Sequence, residues 1–482
     1  MPRRYNLIHE RWIPIEGEGK ASLNEVFSCG FKGRIGGNPI QKISLYKLLL
    51  AIAQDAVVIE NEAKLSSLGI EEFGVLCQDY LEKYEDCFWL YGDNPFLQYP
   101  ELEERDIKVN PIFCRYIPDL SAENDTIVRE TQTDPPLDDG EKALFVLTLM
   151  SYALGGKRVS DPKTFLDDVG TRSKSAKAAP SLGGGVGYQQ SLFLCDSILE
   201  TIYCNSFTKE EIDSTKCLVE GVFPPWRKRP CIEDDPYNEL YKKSVYAWYL
   251  AMSRTVLLMD DGIKYGEGLS YMGDWFEPFV SREEKGFLVV DTRRKTWRSL
   301  PSLLSGVYAQ KDDGKGCYAL KAHLVRIRRC CKQFEIWSGG LRVRGNSGDQ
   351  SIKGNDDFVE SSVSFDGGLF GDGSFALLCD VIKEAGSMEY KLKRSVDSYY
   401  RFLGLNGKHE DIACIQYLQI LDSIGQSIVD SSVSIDSAKE MKKKMFILLL
   451  DVYDNHCRRE TSRQILAWAK FRPGQFDKGK AR

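Results

Sequence analysis

From about Phe375 onward the chain carries apolar residues at helical spacing in successive stretches, 375–404, 410–428, 435–456 and 460–470, with short polar connections between them. Amphipathic helices joined this tightly bury their apolar faces against one another, so this region predicts an antiparallel four-helix bundle. The residues before it follow another pattern. Residues 5–15 alternate and end in Trp12-Ile13-Pro14, which predicts an opening strand, and Gln41–Val58 and Leu65–Trp89 predict helices. Arg254–Leu269 predicts a hairpin turning at Asp261-Gly262, Ala319–Lys332 a basic helix, and Phe334–Phe365 two strands joined by a polar tip, Gly345–Gly354. The expectation is an α+β chain: a mixed α/β domain over 1–370, followed by the helical bundle over 371–482. A length of 482 residues is ample for two such cores.

Two segments of the first part point to binding. The stretch Lys174–Tyr188, KSAKAAPSLGGGVGY, brings Lys174 and Lys177 to Gly183, Gly184 and Gly185, with Gly187 just beyond. Glycine has no Cβ, so such a loop can press bare backbone against another molecule, and the lysines make that partner a polyanion. The simpler reading is an exposed turn. The spacing fits neither G-x-G-x-x-G nor a P-loop, which disfavours a nucleotide cradle. The second segment is the polar loop Ser121–Leu137, whose one basic side chain is Arg129. Behind it, Asp138 and Glu141 stand at capping-box spacing and start a helix, Glu141–Leu154, that runs to Gly155-Gly156.

Charge and cysteine usage narrow the classes. The formal net charge is −6, so the whole chain cannot coat nucleic acid, and any such site is a local basic surface. Basic residues gather at Lys157–Lys177, Arg227–Arg229, Arg293–Arg298 and Lys321–Arg344, and the Gly345–Gly354 tip places Asn346, Asp349 and Gln350 between Arg344 and Lys353. Fourteen cysteines and four histidines form no C-x-x-C and no H-E-x-x-H, and Cys330-Cys331, being adjacent, is poorly spaced for chelation, so neither metal nor cofactor is expected. The opening MPRRYNLIHERWIPI lacks a signal peptide's apolar run, which predicts a cytoplasmic protein with reduced thiols. The pairs Asp138-Asp139, Asp234-Asp235, Asp260-Asp261 and Asp356-Asp357 could in principle serve a metal-dependent nuclease, but each falls at a predicted cap or turn, and His323 has no acidic partner nearby.

Taken in order, YNLIHERWIPI, NPFLQ, NDTIVRETQTDPPLDDGEKALFVLTLMSYALGG, SAKAAPSLGGGVGY, the PPW at Pro224–Trp226, the hairpin near Gln350 and the terminal helices resemble the CasA-type large subunit of the type I-E CRISPR complex, Cascade. The resemblance implies a non-catalytic subunit that reads the protospacer-adjacent motif (PAM) of double-stranded DNA from the minor groove, starts R-loop formation and supports nuclease recruitment. Gly183, Gly184 and Gly185 then correspond to the family's PAM-contacting loop, with Lys174, Lys177 and Arg129 beside the DNA. Asn346, Asp349 and Gln350 correspond to its strand-separating wedge. The implied partners are target DNA, crRNA, the other Cascade subunits and a recruited nuclease, with no membrane. Some members bind zinc through paired cysteines; the corresponding segments here, SYALGGK and IKYGEGLSY, have none. A PAM-contacting lysine of some members falls near Gly273-Asp274-Trp275, where Lys264 is the nearest substitute. A metal-dependent nuclease and a protein-binding scaffold without DNA readout remain the alternative readings.

Overall fold

The computed structural model describes residues 3–107, 109, 137–152, 187–230, 235–260, 262–269, 271, 277–308, 314–342, 344–346, 349–351, 358–366, 372–405 and 407–474. It is a mixed α/β structure with a helical C-terminal region, as expected. Among the described residues no helix is long and apolar enough to cross a membrane.

The expected opening strand is two strands. Arg4–Asn6 pairs with Trp89–Tyr91 and Ile13–Ile15 with Glu18–Ala21, both antiparallel. The break is local chemistry: the Asn6 carboxamide accepts from Ile8 N at 2.9 Å and turns the chain, after which Trp12 is buried with its Nε1 donating to Leu7 O at 3.0 Å. Pairing of Trp89 with Asn6 also ends the second expected helix early, at Lys83.

The helix Pro39–Ala56 starts on a capping box of Asn38 and Gln41 with proline at its first turn, and it is buried on nearly every side. Three of its polar side chains carry long-range bonds. Lys42 Nζ holds Glu16 Oε1 at 2.6 Å and Glu360 Oε1 at 2.5 Å, which ties the N-terminal hairpin to the main sheet. Lys47 Nζ meets Glu277 Oε2 at 2.7 Å, with both groups out of water beneath the Tyr152 and Phe279 rings. Asp55, at the last turn, accepts from Tyr80, Arg227 and Tyr246.

This helix backs a three-stranded antiparallel sheet with Gln333–Leu341 in the centre, Phe358–Asp366 on one side and Gln190–Leu194 on the other. Gln333 lies opposite Asp366 and Leu341 opposite Phe358, while Gly339 lies opposite Gln190. The expected pair of strands within 334–365 is therefore present. Its connection carries an extra hairpin, Arg344–Asn346 against Asp349–Ser351. Gln350 is accordingly in a returning strand opposite Gly345, not at an apex, because Asn346 pairs with Asp349 and leaves only two residues between them. The hairpin Arg254–Met259 and Gly262–Glu267 likewise turns one residue earlier than expected, since Gly262 is paired with Met259.

The C-terminal region comprises helices Asp372–Leu403, His409–Ser423, Gly425–Asp430, Ile435–His456 and Ser462–Phe471. The longest buries Val381, Ala385, Met388, Leu392, Val396 and Tyr399, a stripe with three- and four-residue steps, against neighbours that include Tyr417, Met445 and Leu449. The expected single helix 410–428 is split at Ile424. A Cβ on Gly425 would stand 2.6 Å from Trp297 Cδ1, and Trp297 Nε1 donates to Asp422 Oδ1 at 2.9 Å, so the chain breaks where it seats on that indole. Gln426 then exchanges hydrogen bonds with the backbone of Ser364, attaching these helices to the sheet edge.

Candidate nucleic-acid interface

Gly183, Gly184, Gly185, Lys174, Lys177 and Arg129 lie outside the described residues, as do Gly155-Gly156 and Gly273-Asp274-Trp275. The frame that delivers them is described on both sides. The segment holding Arg129 ends in helix Asp139–Ser151, whose capping box is as the spacing predicts: Asp138 Oδ1 accepts from Glu141 N at 2.7 Å and Asp138 N donates to Glu141 Oε2 at 2.8 Å. Lys20 Nζ reaches Asp138 Oδ2 at 2.5 Å. Partial burial pushes the Asp138 carboxyl up, but Lys20 and the helix amides outweigh it and hold it below the usual range. Close packing fixes the same end, because a Cβ on Gly140 would stand 2.8 Å from Tyr5 Oη and 3.0 Å from Trp12 Cβ.

The glycine segment returns at Gly187. Val290 N donates to Gly187 O at 2.9 Å, Gln189 N donates to Leu288 O at 2.9 Å, and Gln190 then pairs with Gly339. Gly340 stands beside this return, and its bare α-carbon is required: a Cβ there would fall 2.6 Å from Val290 Cγ2 and 2.8 Å from Tyr188 O. Two residues later Arg342 Nη1 donates to Thr292 Oγ1 at 3.4 Å, and the Arg344–Asn346 strand begins. The root of the glycine segment, the root of the hairpin bearing Asn346, Asp349 and Gln350, and the basic stretch 293–298 therefore meet around Gly340. Nothing in the linear pattern singles out Gly340, which looks like any strand glycine.

The basic clusters divide in two. Arg293 is well exposed beside this junction, with Arg294 and Arg298 bonded to the Arg298 and Arg293 carbonyls respectively. Arg227–Arg229, by contrast, is engaged within the fold. Arg227 pairs with Asp55 at 2.7 Å between the Tyr84 and Phe223 rings, Arg229 donates to Gln98 O, and Lys228 lies over the Tyr237 ring at 3.9 Å. The NPFLQ and PPW landmarks belong to the same packing: Phe96 and Phe88 stack near Trp226, and Gln98 bonds Leu90 O and Leu258 N. Lys264 is similarly committed, donating to the Glu103 and Arg105 carbonyls at 2.9 Å each.

The basic helix, observed at Tyr318–Cys330, is largely a structural device. Arg326 is buried and pairs with Glu62 at 2.7 Å and Glu211 at 3.2 Å, while Arg329 holds the other Glu62 oxygen at 2.5 Å. His323 is fully buried against Phe207, with no hydrogen-bond partner at either ring nitrogen among the described residues. Burial first, and the Arg326 charge second, hold its imidazole well below its usual 6.5. Below about pH 6.5 the unfolded chain takes up a proton that folded His323 refuses. Stability is therefore full above that pH and falls by about 1.4 kcal/mol per pH unit below it. His323→Leu should flatten this part of the acid-side stability profile, measured by urea unfolding at stepped pH; an unchanged slope assigns the acid sensitivity elsewhere.

Of the described members of the carboxylate pairs, three carry structural bonds and Asp260 stands exposed at its hairpin turn. Asp138 and Asp235 cap helices, and Asp139 accepts from Tyr91 Oη at 2.8 Å. Asp234, Asp261, Asp356 and Asp357 lie outside the described residues.

The model of the family "CRISPR-associated protein Cse1" matches residues 6–444. The fold is similar to CasA from Thermus thermophilus at 19% identity and TM-score 0.70, covering 97% of each chain. It is also similar to Cse1 from Thermobifida fusca at 19% identity and TM-score 0.74, again covering 97% of each chain. Cse1 from Acidimicrobium ferrooxidans aligns at 14% identity and TM-score 0.67, covering 97% of this chain and 96% of that one. No curated protein matches. The family match over most of the chain, with the fold in agreement end to end, places this protein in the Cse1 family as a CasA-type large subunit of the type I-E Cascade complex.

Proposed function

We propose that this chain is the non-catalytic subunit through which a crRNA-guided, cytoplasmic Cascade complex recognises the PAM in double-stranded DNA, begins to part the duplex and supports recruitment of a nuclease. In this reading residues 1–370 carry the DNA contacts and 371–482 form a helical unit. Gly183, Gly184 and Gly185 enter a minor groove about 6 Å wide, where a side chain on the loop would obstruct approach. Lys174, Lys177 and Arg129 hold phosphates, and Asn346, Asp349 and Gln350 form the wedge. The observation that carries the reading is the meeting of the two segment roots at Gly340, beside exposed Arg293. A groove-reading loop and a wedge must act on neighbouring base pairs, so they require a shared base. Opening the first pairs costs a few kcal/mol, offset by guide–target pairing and backbone contacts.

The test uses the assembled complex on a fully paired target and on one already unpaired beside the PAM. Gly184→Val should weaken both by at least about tenfold, or ~1.4 kcal/mol, because it acts before opening. Gln350→Ala should slow R-loop formation on the paired target and regain most of the loss on the unpaired one. Undiminished binding by Gly184→Val would reduce the loop to a turn and favour the scaffold reading. DNA cleavage by the isolated chain with a divalent metal would favour the nuclease.

A further inference from the structure

Three cysteines distant in sequence converge behind the sheet. Cys195 follows the strand Gln190–Leu194, Cys204 lies in the last turn of helix Ile198–Asn205, and Cys331 caps helix Tyr318–Cys330. Their Sγ atoms all lie within 4.8 Å of one another, with Cys331 Sγ 3.5 Å from Cys195 Sγ. Cys330, half-buried, is the residue next to Cys331 along the chain. Four sulfurs around a tetrahedral Zn2+ at about 2.3 Å stand roughly 3.8 Å apart, close to this spacing.

The backbone of the cluster is held by bonds that do not involve the thiols. Cys195 N donates to Thr201 Oγ1 at 3.0 Å and Arg34 Nε donates to Cys195 O at 3.2 Å. Arg326 Nη1 donates to Cys204 O at 3.3 Å, and Cys331 N donates to Ile327 O at 2.8 Å. Such outer bonds are what keep metal ligands oriented. Cys195 and Cys204 are buried, while Cys330 and Cys331 are half-buried, which leaves an approach from the surface. Thiols that merely fill space, such as Cys77, stand outside any such group among the described residues.

We infer that Cys195, Cys204 and Cys331, joined by the adjacent Cys330 as fourth donor once its side chain turns in, bind a thiophilic divalent cation of the Zn2+ type that clamps the strand, the short helix and the basic helix together. None of these cysteines belongs to the segments SYALGGK and IKYGEGLSY. Each thiol that coordinates releases a proton, so binding strengthens as pH rises.

The probe is Co2+, titrated into the reduced full-length chain without oxygen, then displaced by Zn2+. One equivalent per chain should bring up the intense visible bands of tetrahedral cobalt thiolate. Cys331→Ser should weaken uptake at least about tenfold, and the buried control Cys77→Ser should leave it unchanged. If Cys331→Ser does not fold, Cys330→Ser and the wild-type spectrum carry the test. The proposal is overturned if the reduced wild type takes up no Co2+, or if Cys331→Ser binds it as tightly as wild type. It is overturned equally if the cobalt spectrum lacks thiolate ligation, the outcome for thiols that only fill space.

Discussion

Arg326→Met should lower the stability of the chain by about 3–5 kcal/mol, among the largest costs a single side chain can impose here. Arg326 is wholly buried, and its guanidinium bonds Glu62, Glu211, Cys204 O and Ser206 O at once. A methionine replaces the aliphatic stem but stops short of the guanidinium, so the loss combines the missing charge with a small void at that position. Without the cation, half-buried Glu211 keeps a poorly solvated charge, and the carbonyls at the end of helix Ile198–Asn205 lose their donor. The two carboxylates feel Arg326 differently. Burial raises both, but hydrogen bonds from Arg326, at 2.7 Å, and from Arg329 hold Glu62 below its usual range, whereas Glu211, deeper and 3.2 Å from Arg326, stays raised. Adding Glu211→Gln to Arg326→Met should therefore recover part of the loss, because the stranded charge is gone. The measurement is the urea midpoint of the three variants. A cost under about 1 kcal/mol for Arg326→Met would mean the network is no stronger than a surface ion pair.

Arg326 also shows where reading the sequence stopped. The basic helix containing it was legible from its periodicity, but its charge suggested a DNA-facing surface. Its partners sit 264 and 115 residues away, and only tertiary packing brings Glu62 and Glu211 to it. The same holds for Arg227 with Asp55, 172 residues apart, and Lys47 with Glu277, 230 apart. What was legible was local. The Asp138–Glu141 box is a three-residue interaction, and it formed as the spacing predicts. The paired strands within 334–365 also formed, but the small hairpin at their connection did not show, because three-residue strands leave almost no alternation to read. The cysteine cluster escaped for the reason Arg326 did. Adjacent Cys330-Cys331 looks unfit for chelation until the fold carries Cys331 to partners up to 136 residues away.

Gly340→Val should act on both folding and target recognition, and the two effects can be separated. Gly340 is extended backbone that any residue can adopt, so the cost comes from space alone. The new Cβ would meet Val290 Cγ2 at 2.6 Å and, on the backbone side, Tyr188 O at 2.8 Å. The Val290 side chain has little room to withdraw because it is itself buried. Relief must come from moving the Gly187–Tyr188 backbone, with about 1–3 kcal/mol lost to overpacking. That backbone is the root of the glycine segment, so displacement there should mis-aim the loop relative to the hairpin that starts at Arg344. Well below the unfolding midpoint, where the variant is fully folded, assembled complexes carrying it should bind PAM-bearing duplex at least about tenfold more weakly, ~1.4 kcal/mol. Gly386→Ala is the control: it lies exposed within helix Asp372–Leu403 with nothing within 4 Å of its added methyl, and it should gain about 0.5–1 kcal/mol while binding normally. If both glycine sites act through one loop, Gly184→Val with Gly340→Val should bind no worse than the weaker single variant, because coupled losses do not add. Fully additive losses would mean that Gly340 acts on DNA by another route. A stability loss with intact binding would leave Gly340 as packing between strands and sever the proposed link between the root and the groove.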